Sequence, residues 1–245
     1  YIPQLSENWI DSLKIVGVDE SEFLSDFLLI KDKQQRWHCI GIGGQGHIQD
    51  SFFHAVSNDL LSHFTYTTRV ESNGTKPLPG MAWMWAPYAI YADDNTAYMY
   101  YCHVLQGTEQ AQMRVLQSTD SSLDTWVKAK RKEWQEGNIA FTEGGDRDAC
   151  IFFDESSQKY FMYYSGTNPS KNESAINLRT STDLISWSEP TAVMEVPQGY
   201  GAAESPFVIK RFGYYYLFVS GFDYGRVAVY ASKDPFNFGH PDEDK

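Results

Sequence analysis

Residues 147–166 read RDACIFFDESSQKYFMYYSG, two apolar aromatic runs around a polar break, and the same plan occurs four times along the chain. The other copies are DFLLIKDKQQRWHCIGIG from Asp26, WAPYAIYADDNTAYMYYC from Trp85 and ESPFVIKRFGYYYLFVSG from Glu204. Each leads into a short Ser-x-Asp turn, at Ser57-Asn58-Asp59, Ser118-Thr119-Asp120, Ser181-Thr182-Asp183 and Ser232-Lys233-Asp234, so the turn aspartates lie 61, 63 and 51 residues apart. Recurrence at that period is the mark of a repeat architecture. Runs of four to eight apolar, aromatic and β-branched residues bounded by polar breaks read as strands. The first copy therefore predicts strands over 27–30 and 37–42 around Lys31-Asp32-Lys33-Gln34-Gln35. A third strand, such as 175–181 or 227–232, is expected to close each unit at its turn. There an Asp accepts hydrogen bonds from the amides just ahead of it and fixes the reversal.

Strand groups repeating at this length describe a β-propeller, one group per blade around a central axis. A large sandwich is the competing all-β plan, but it does not explain the register of repeated openings and closings. The expectation is one all-β propeller domain over 1–245, with 1–22 as an N-terminal extension and a helical pattern at 7–14. Four blades are evident, and a five-bladed ring with its fifth blade incomplete or missing is the favoured form.

Composition narrows the partners. With 42% hydrophobic and 16% aromatic residues in a chain of 245, there is ample material for a core. A net charge of −12 repels phosphate backbones and anionic membranes, so neither nucleic acid nor membrane is an expected partner. Cys39, Cys102 and Cys150 show no Cys-x-x-Cys spacing, and each falls in a predicted strand as a small buried thiol. A secreted or periplasmic setting is favoured over a cytoplasmic one.

The innermost strands of a propeller run along the axis, so residues opening successive repeats converge at one end of the funnel. Three openings supply an acid in what reads as one repeat slot: Asp26, Asp148 and Glu204. The fourth supplies Trp85 beside Trp83, on one face of a strand if the alternation of 81–85 holds. Two carboxyl groups flanking a bond are what glycoside hydrolysis requires. A third carboxylate raises the donor's pKa by like-charge repulsion, and an aromatic face binds a sugar ring. Arg147 stands ready to hold a carboxylate or a sugar hydroxyl. The expected substrate-binding set is Trp83, Trp85, Arg147, His54 and Arg226, with no metal ligands.

Arg147-Asp148-Ala149, Glu204-Ser205-Pro206 with its following Gly213-Tyr214-Tyr215-Tyr216, Trp85-Ala86-Pro87 and the Ser-x-Asp-Leu closings resemble the five-bladed propeller glycosidases of glycoside hydrolase families 43 and 32. The resemblance runs from about residue 24 to 238. It implies a hydrolase acting on oligosaccharide or polysaccharide, with Glu204 as general acid, Asp148 as the carboxylate that tunes it and Asp26 as base or nucleophile. Phe27 and Ala149 stand where those families usually carry Pro, and Asp50 competes with Asp26. No cofactor is implied for the chemistry; a structural calcium is allowed. Removal of terminal sugar units with inversion is the expected outcome. A sugar-binding propeller without catalysis, a phosphorylase and a purely structural propeller are the other readings.

Overall fold

A computed structural model describes residues 15–18, 22–45, 49, 51–60, 62–70, 81–105, 111–129, 139–141, 146–171, 173–196, 202–221 and 226–239. The 7–14 helical pattern and Asp50 lie outside the described residues. Four sheets follow one another in sequence, antiparallel throughout except for one parallel pair in the first. The first blade holds β1 (Ile15–Val16), β2 (Glu22–Lys31), β3 (Trp37–Gln45), β4 (Ser51–Ser57) and β5 (Phe64–Val70), with β2 innermost and β1 added in parallel to β5. Part of the expected extension is thus a strand of blade 1. The second holds β6 (Met81–Tyr91), β7 (Ala97–Leu105), β8 (Ala111–Ser118), β9 (Trp126–Lys128) and β10 (Ile139–Phe141). The third is β11 (Arg147–Asp154), β12 (Lys159–Thr167), β13 (Ser174–Ser181) and β14 (Thr191–Glu195); the fourth is β15 (Ala203–Arg211), β16 (Tyr214–Gly221) and β17 (Arg226–Ser232).

Alternation along each strand explains why the apolar runs are continuous. Successive side chains point to opposite faces of the sheet, and a sheet between two neighbours buries both. On β7, Met99 and Tyr101 join Leu28, Ile40 and Phe52 of blade 1, whereas Tyr98 and Tyr100 join Ile151 and Met162 of blade 3. On β12, Tyr160, Met162 and Tyr164 face blade 2, while Phe161 and Tyr163 pack with Val208, Tyr215 and Leu217 of blade 4. The larger part of the core is therefore three seams between consecutive blades, with smaller clusters within blade 1 (Cys39, Phe53, Ala55, Phe64) and blade 2 (Cys102, Val104, Ala111). Among the described residues, β2 packs on β6, β6 on β11 and β11 on β15, whereas no packing of that extent joins β15 to β2.

Polar contacts cross the same seams. Arg36 Nη2 donates to the Ser122 carbonyl at 3.0 Å, Tyr160 Oη to Asp93 at 3.0 Å, and Lys210 Nζ to Asp154 at 2.5 Å. The Ser-x-Asp turns form as their chemistry dictates. Asp183 Oδ1 accepts the amides of Ile185 and Ser186, each at 2.8 Å, and Asp234 Oδ1 accepts that of Phe236 at 2.9 Å.

Candidate active site

Each innermost strand breaks its pairing at an equivalent place, and β6 slips a second time between Met81 and Trp83. The register slips between Ser25 and Phe27 on β2, Trp85 and Tyr88 on β6, Arg147 and Cys150 on β11, and Glu204 and Phe207 on β15. Within each slip sits one non-glycine residue with positive φ: Asp26 (32°), Ala86 (43°), Asp148 (61°) and Ser205 (49°). A bulge of this kind bends the strand and re-aims a side chain, and such backbone costs on the order of 1–3 kcal/mol per residue. Four equivalent kinks therefore turn four segments toward the axis.

The kinks also correct the sequence alignment. Asp26 and Asp148 occupy the strained position, but its counterpart in blade 4 is Ser205. Glu204 stands one residue earlier, level with Ser25, Trp85 and Arg147. The three acids thus come from two adjacent slots and not from one.

They nonetheless share a cavity of about 360 Å³, lined by Asp26, Asp148 and Glu204 with Trp85, Arg147 and Gln49. Arg147 bridges two of the acids, its Nη2 2.7 Å from Glu204 Oε1 and its Nε 3.7 Å from Asp148 Oδ2. Asp148 Oδ2 also accepts the Ser205 amide at 3.0 Å and the Ser165 hydroxyl at 3.3 Å. The Asp148 side chain is the most enclosed, 11% exposed against 42% for Glu204. Burial raises its pKa, with help from the charges of Asp26 and Glu204 and against the pull of the Ser205 amide and Arg147. Asp26 is raised as well, first by burial and then by the charge of Glu204. The cluster therefore combines three acids, two of which take up protons more readily than ordinary carboxyls, with one cation and one indole.

Trp83 does not line the cavity. It stacks on Trp85 with ring centroids 5.5 Å apart and planes 12° from parallel, and it is 39% exposed. His54 is not in the funnel at all. On β4, two strands out from β2, it is fully buried, its Nε2 lies 2.7 Å from His38 Nδ1, and His38 Nε2 in turn lies 3.1 Å from Asp32. Burial lowers the His54 pKa to about 4, which keeps the ring neutral. It is a packed core histidine because β4 belongs to the interior of a thick sheet. Arg226 opens β17, opposite Gly221 on β16, and its side chain lies outside the described residues. Sequence reasoning missed Gln49, Ser165 and Ser205, which carry no signal in a hydropathy pattern. Among the described residues, no group of three or more His, Cys, Asp or Glu side chains is placed to hold a metal ion, so no residue set is assigned to a calcium.

Inner strands of successive blades that bring three carboxylates to an arginine and an indole present the paired acids that glycoside hydrolysis requires. Residues 29–237 match the glycosyl hydrolases family 43, and the chain belongs to that family. No curated protein matches the chain. Among solved structures, an arabinanase of Bacillus subtilis is 21% identical, with a TM-score of 0.67 over 87% of this chain and 74% of its own. An endo-arabinanase of Bacillus licheniformis is 20% identical, TM-score 0.67, over 91% of this chain and 76% of its own. A family-43 enzyme of Xanthomonas citri, solved with xylotriose, is 13% identical, TM-score 0.66, over 89% of this chain and 72% of its own. At these identities the likeness is one of fold.

Proposed function

We propose that the chain removes terminal sugar units from an oligosaccharide or polysaccharide with inversion, Glu204 acting as general acid, Asp26 as general base and Asp148 as the buried carboxylate that tunes the pair. The observation that carries the reading is the convergence of three carboxylates from three blades on one cavity with Arg147 and Trp85. In this mechanism Glu204 gives its proton to the departing oxygen, and Asp26 takes a proton from the water that attacks the opposite face of the ring. The raised pKa of Asp148 lessens the negative charge around the site as pH falls, and its contacts to Arg147 and the Ser205 amide tie blade 3 to the residue beside the acid. Arabinanases and a xylotriose complex among the structural neighbours make arabino- and xylo-oligosaccharides the first substrates to try.

The test is Glu204→Gln assayed on a panel of aryl glycosides and oligosaccharides. Loss of a general acid lowers kcat by about 10²–10⁴-fold, with unchanged thermal unfolding. Retained turnover excludes Glu204 as the acid. The anomeric form of the first product, read by proton NMR within seconds of mixing, separates inversion from retention, in which Asp26 would attack carbon directly.

The favoured five-bladed ring is part of the same proposal: a fifth sheet would sit between β15 and β2. It is supported by apolar side chains on the flanks of that gap, Phe27 at 51% exposure, Phe207 at 48% and Val227 at 67%. Phe207→Asp tests it, since a charge buried under a further sheet lowers Tm by several degrees, whereas a charge placed on an open face leaves Tm unchanged.

A further inference from the structure

Gln49 lies between β3 and β4 and lines the cavity beside Asp26. Two contacts fasten it to blade 2. Its carbonyl accepts the Met84 amide at 2.7 Å, and its side-chain Oε1 accepts the indole N–H of Trp85. An indole nitrogen is a donor only, so the oxygen of the Gln49 amide must be the atom that faces it. That fixes the orientation of the whole group: Nε2, with two N–H donors, points away from Trp85. Among the described residues Nε2 has no hydrogen-bond partner.

The other donors around the cavity are largely engaged with the protein. Arg147 Nη2 and Nε face Glu204 and Asp148, the Ser205 amide faces Asp148, and the Ser220 hydroxyl donates to the Glu204 carbonyl at 3.2 Å. The three acids offer oxygen atoms for the hydroxyl protons of a sugar, but an ionised carboxylate cannot donate to a sugar oxygen. A pocket so rich in acceptors needs a donor, and the unsatisfied amide of Gln49 stands next to the aromatic platform.

We propose that Gln49 is a substrate-binding and specificity-determining residue, its Oε1 fixing the rotation of Trp85 and its Nε2 donating to a hydroxyl or ring oxygen of the sugar seated against that indole. The assignment rests on the reading of this cavity as a sugar site. One amide thereby couples the tilt of the platform to recognition of the ring upon it. A site built to hydrogen-bond a substrate oxygen discriminates against an analogue that lacks it, so Gln49 sets which ring positions must carry oxygen.

The experiment uses two variants in a Glu204→Gln background, which prevents turnover, with 1,5-α-L-arabinotriose and 1,4-β-xylotriose as probes. Gln49→Glu keeps an oxygen for the Trp85 indole and replaces the donor by an acceptor. Gln49→Leu removes both. Binding by calorimetry is expected to weaken about tenfold or more in both variants, the loss of one hydrogen bond worth roughly 1.4 kcal/mol. The tryptophan emission of the unliganded protein should change only in Gln49→Leu. If the Glu204→Gln parent binds a sugar and Gln49→Glu binds it equally well, the proposal alone is overturned. A parent that binds neither sugar overturns the sugar-site reading and the proposal with it.

Discussion

Asp154 ends β11, the strand that begins with Arg147 and Asp148, and its partner Lys210 lies near the end of β15, the strand that begins beside Glu204. Replacing Asp154 by Asn therefore loosens the seam whose opposite end holds the acids. The carboxylate is almost wholly enclosed. One oxygen accepts Lys210 Nζ at 2.5 Å and Tyr215 Oη at 3.0 Å; the other accepts the Ser156 hydroxyl at 2.6 Å and the Ser157 amide and hydroxyl at 2.9 and 2.7 Å. Burial works against its charge, and bonds from Lys210, Ser156, Ser157 and Tyr215 outweigh it and hold the carboxyl far below the ordinary value. Asn keeps one oxygen and must turn its NH₂ toward one of these donor sets. Serine hydroxyls can rotate to accept, whereas neither a backbone amide nor an ammonium can. At about 1.5–3 kcal/mol for a hydrogen bond to a charged group, discounted because Lys210 is partly exposed and can turn to water, the loss is about 3 kcal/mol. For a chain of this size that is a fall in Tm of about 6–12 °C, read by calorimetry at pH 7. A depressed carboxyl pKa stabilises the fold above the unfolded value of about 3.9, and that stabilisation is lost as pH falls toward the folded value. The gap between the two proteins should therefore be constant from pH 8 to about 5 and shrink below it. An unchanged Tm at pH 7, or a gap that widens on acidification, refutes the reasoning.

The opposite sign is expected at Asp148, whose raised pKa means that the folded state prefers the protonated form. Asp148→Asn mimics that form, so it raises Tm at pH 7 while lowering kcat, and the gain in Tm disappears in acid where the wild-type group is itself protonated; a loss of Tm at neutral pH contradicts this. Trp83→Ala removes a stacked ring from outside the cavity and leaves the acids in place. At about 0.5–1.5 kcal/mol for an aromatic pair, KM for an oligosaccharide rises about two- to tenfold with kcat unchanged; a fall in kcat alone would assign Trp83 a different part.

Most of the blade plan was legible in the chain because it depends on local chemistry. The paired apolar runs mark strands buried on both faces, and Ser181-x-Asp183 closes a turn with its own atoms wherever it stands. Arg147, Asp148, Trp85 and Glu204 were findable because they open strands that a propeller aims at its axis. What was not legible depends on the third dimension. A bulge shifts side chains by one place without changing the apolar pattern, so Glu204 looked level with Asp148 and is level with Arg147. His54 looked accessible because nothing in SFFHAVS says that β4 is covered on both faces. Gln49 became visible only when β6 was found strapped to it through Met84 and Trp85.

The four kinks carry a further consequence. Each is built into the backbone of its own hairpin: Asp26, Ala86, Asp148 and Ser205 share a strained conformation and differ in the side chain it carries, and Asp148 also reaches across to the Ser205 amide of the next blade. The rim of the funnel therefore behaves as a set of sockets, of which those of blades 3 and 4 are joined through Asp148 and the Ser205 amide. Ala86 follows the cavity-lining Trp85 and carries the smallest side chain of the four, so a change there alters the surroundings of the indole while the link between Asp148 and Ser205 is left alone.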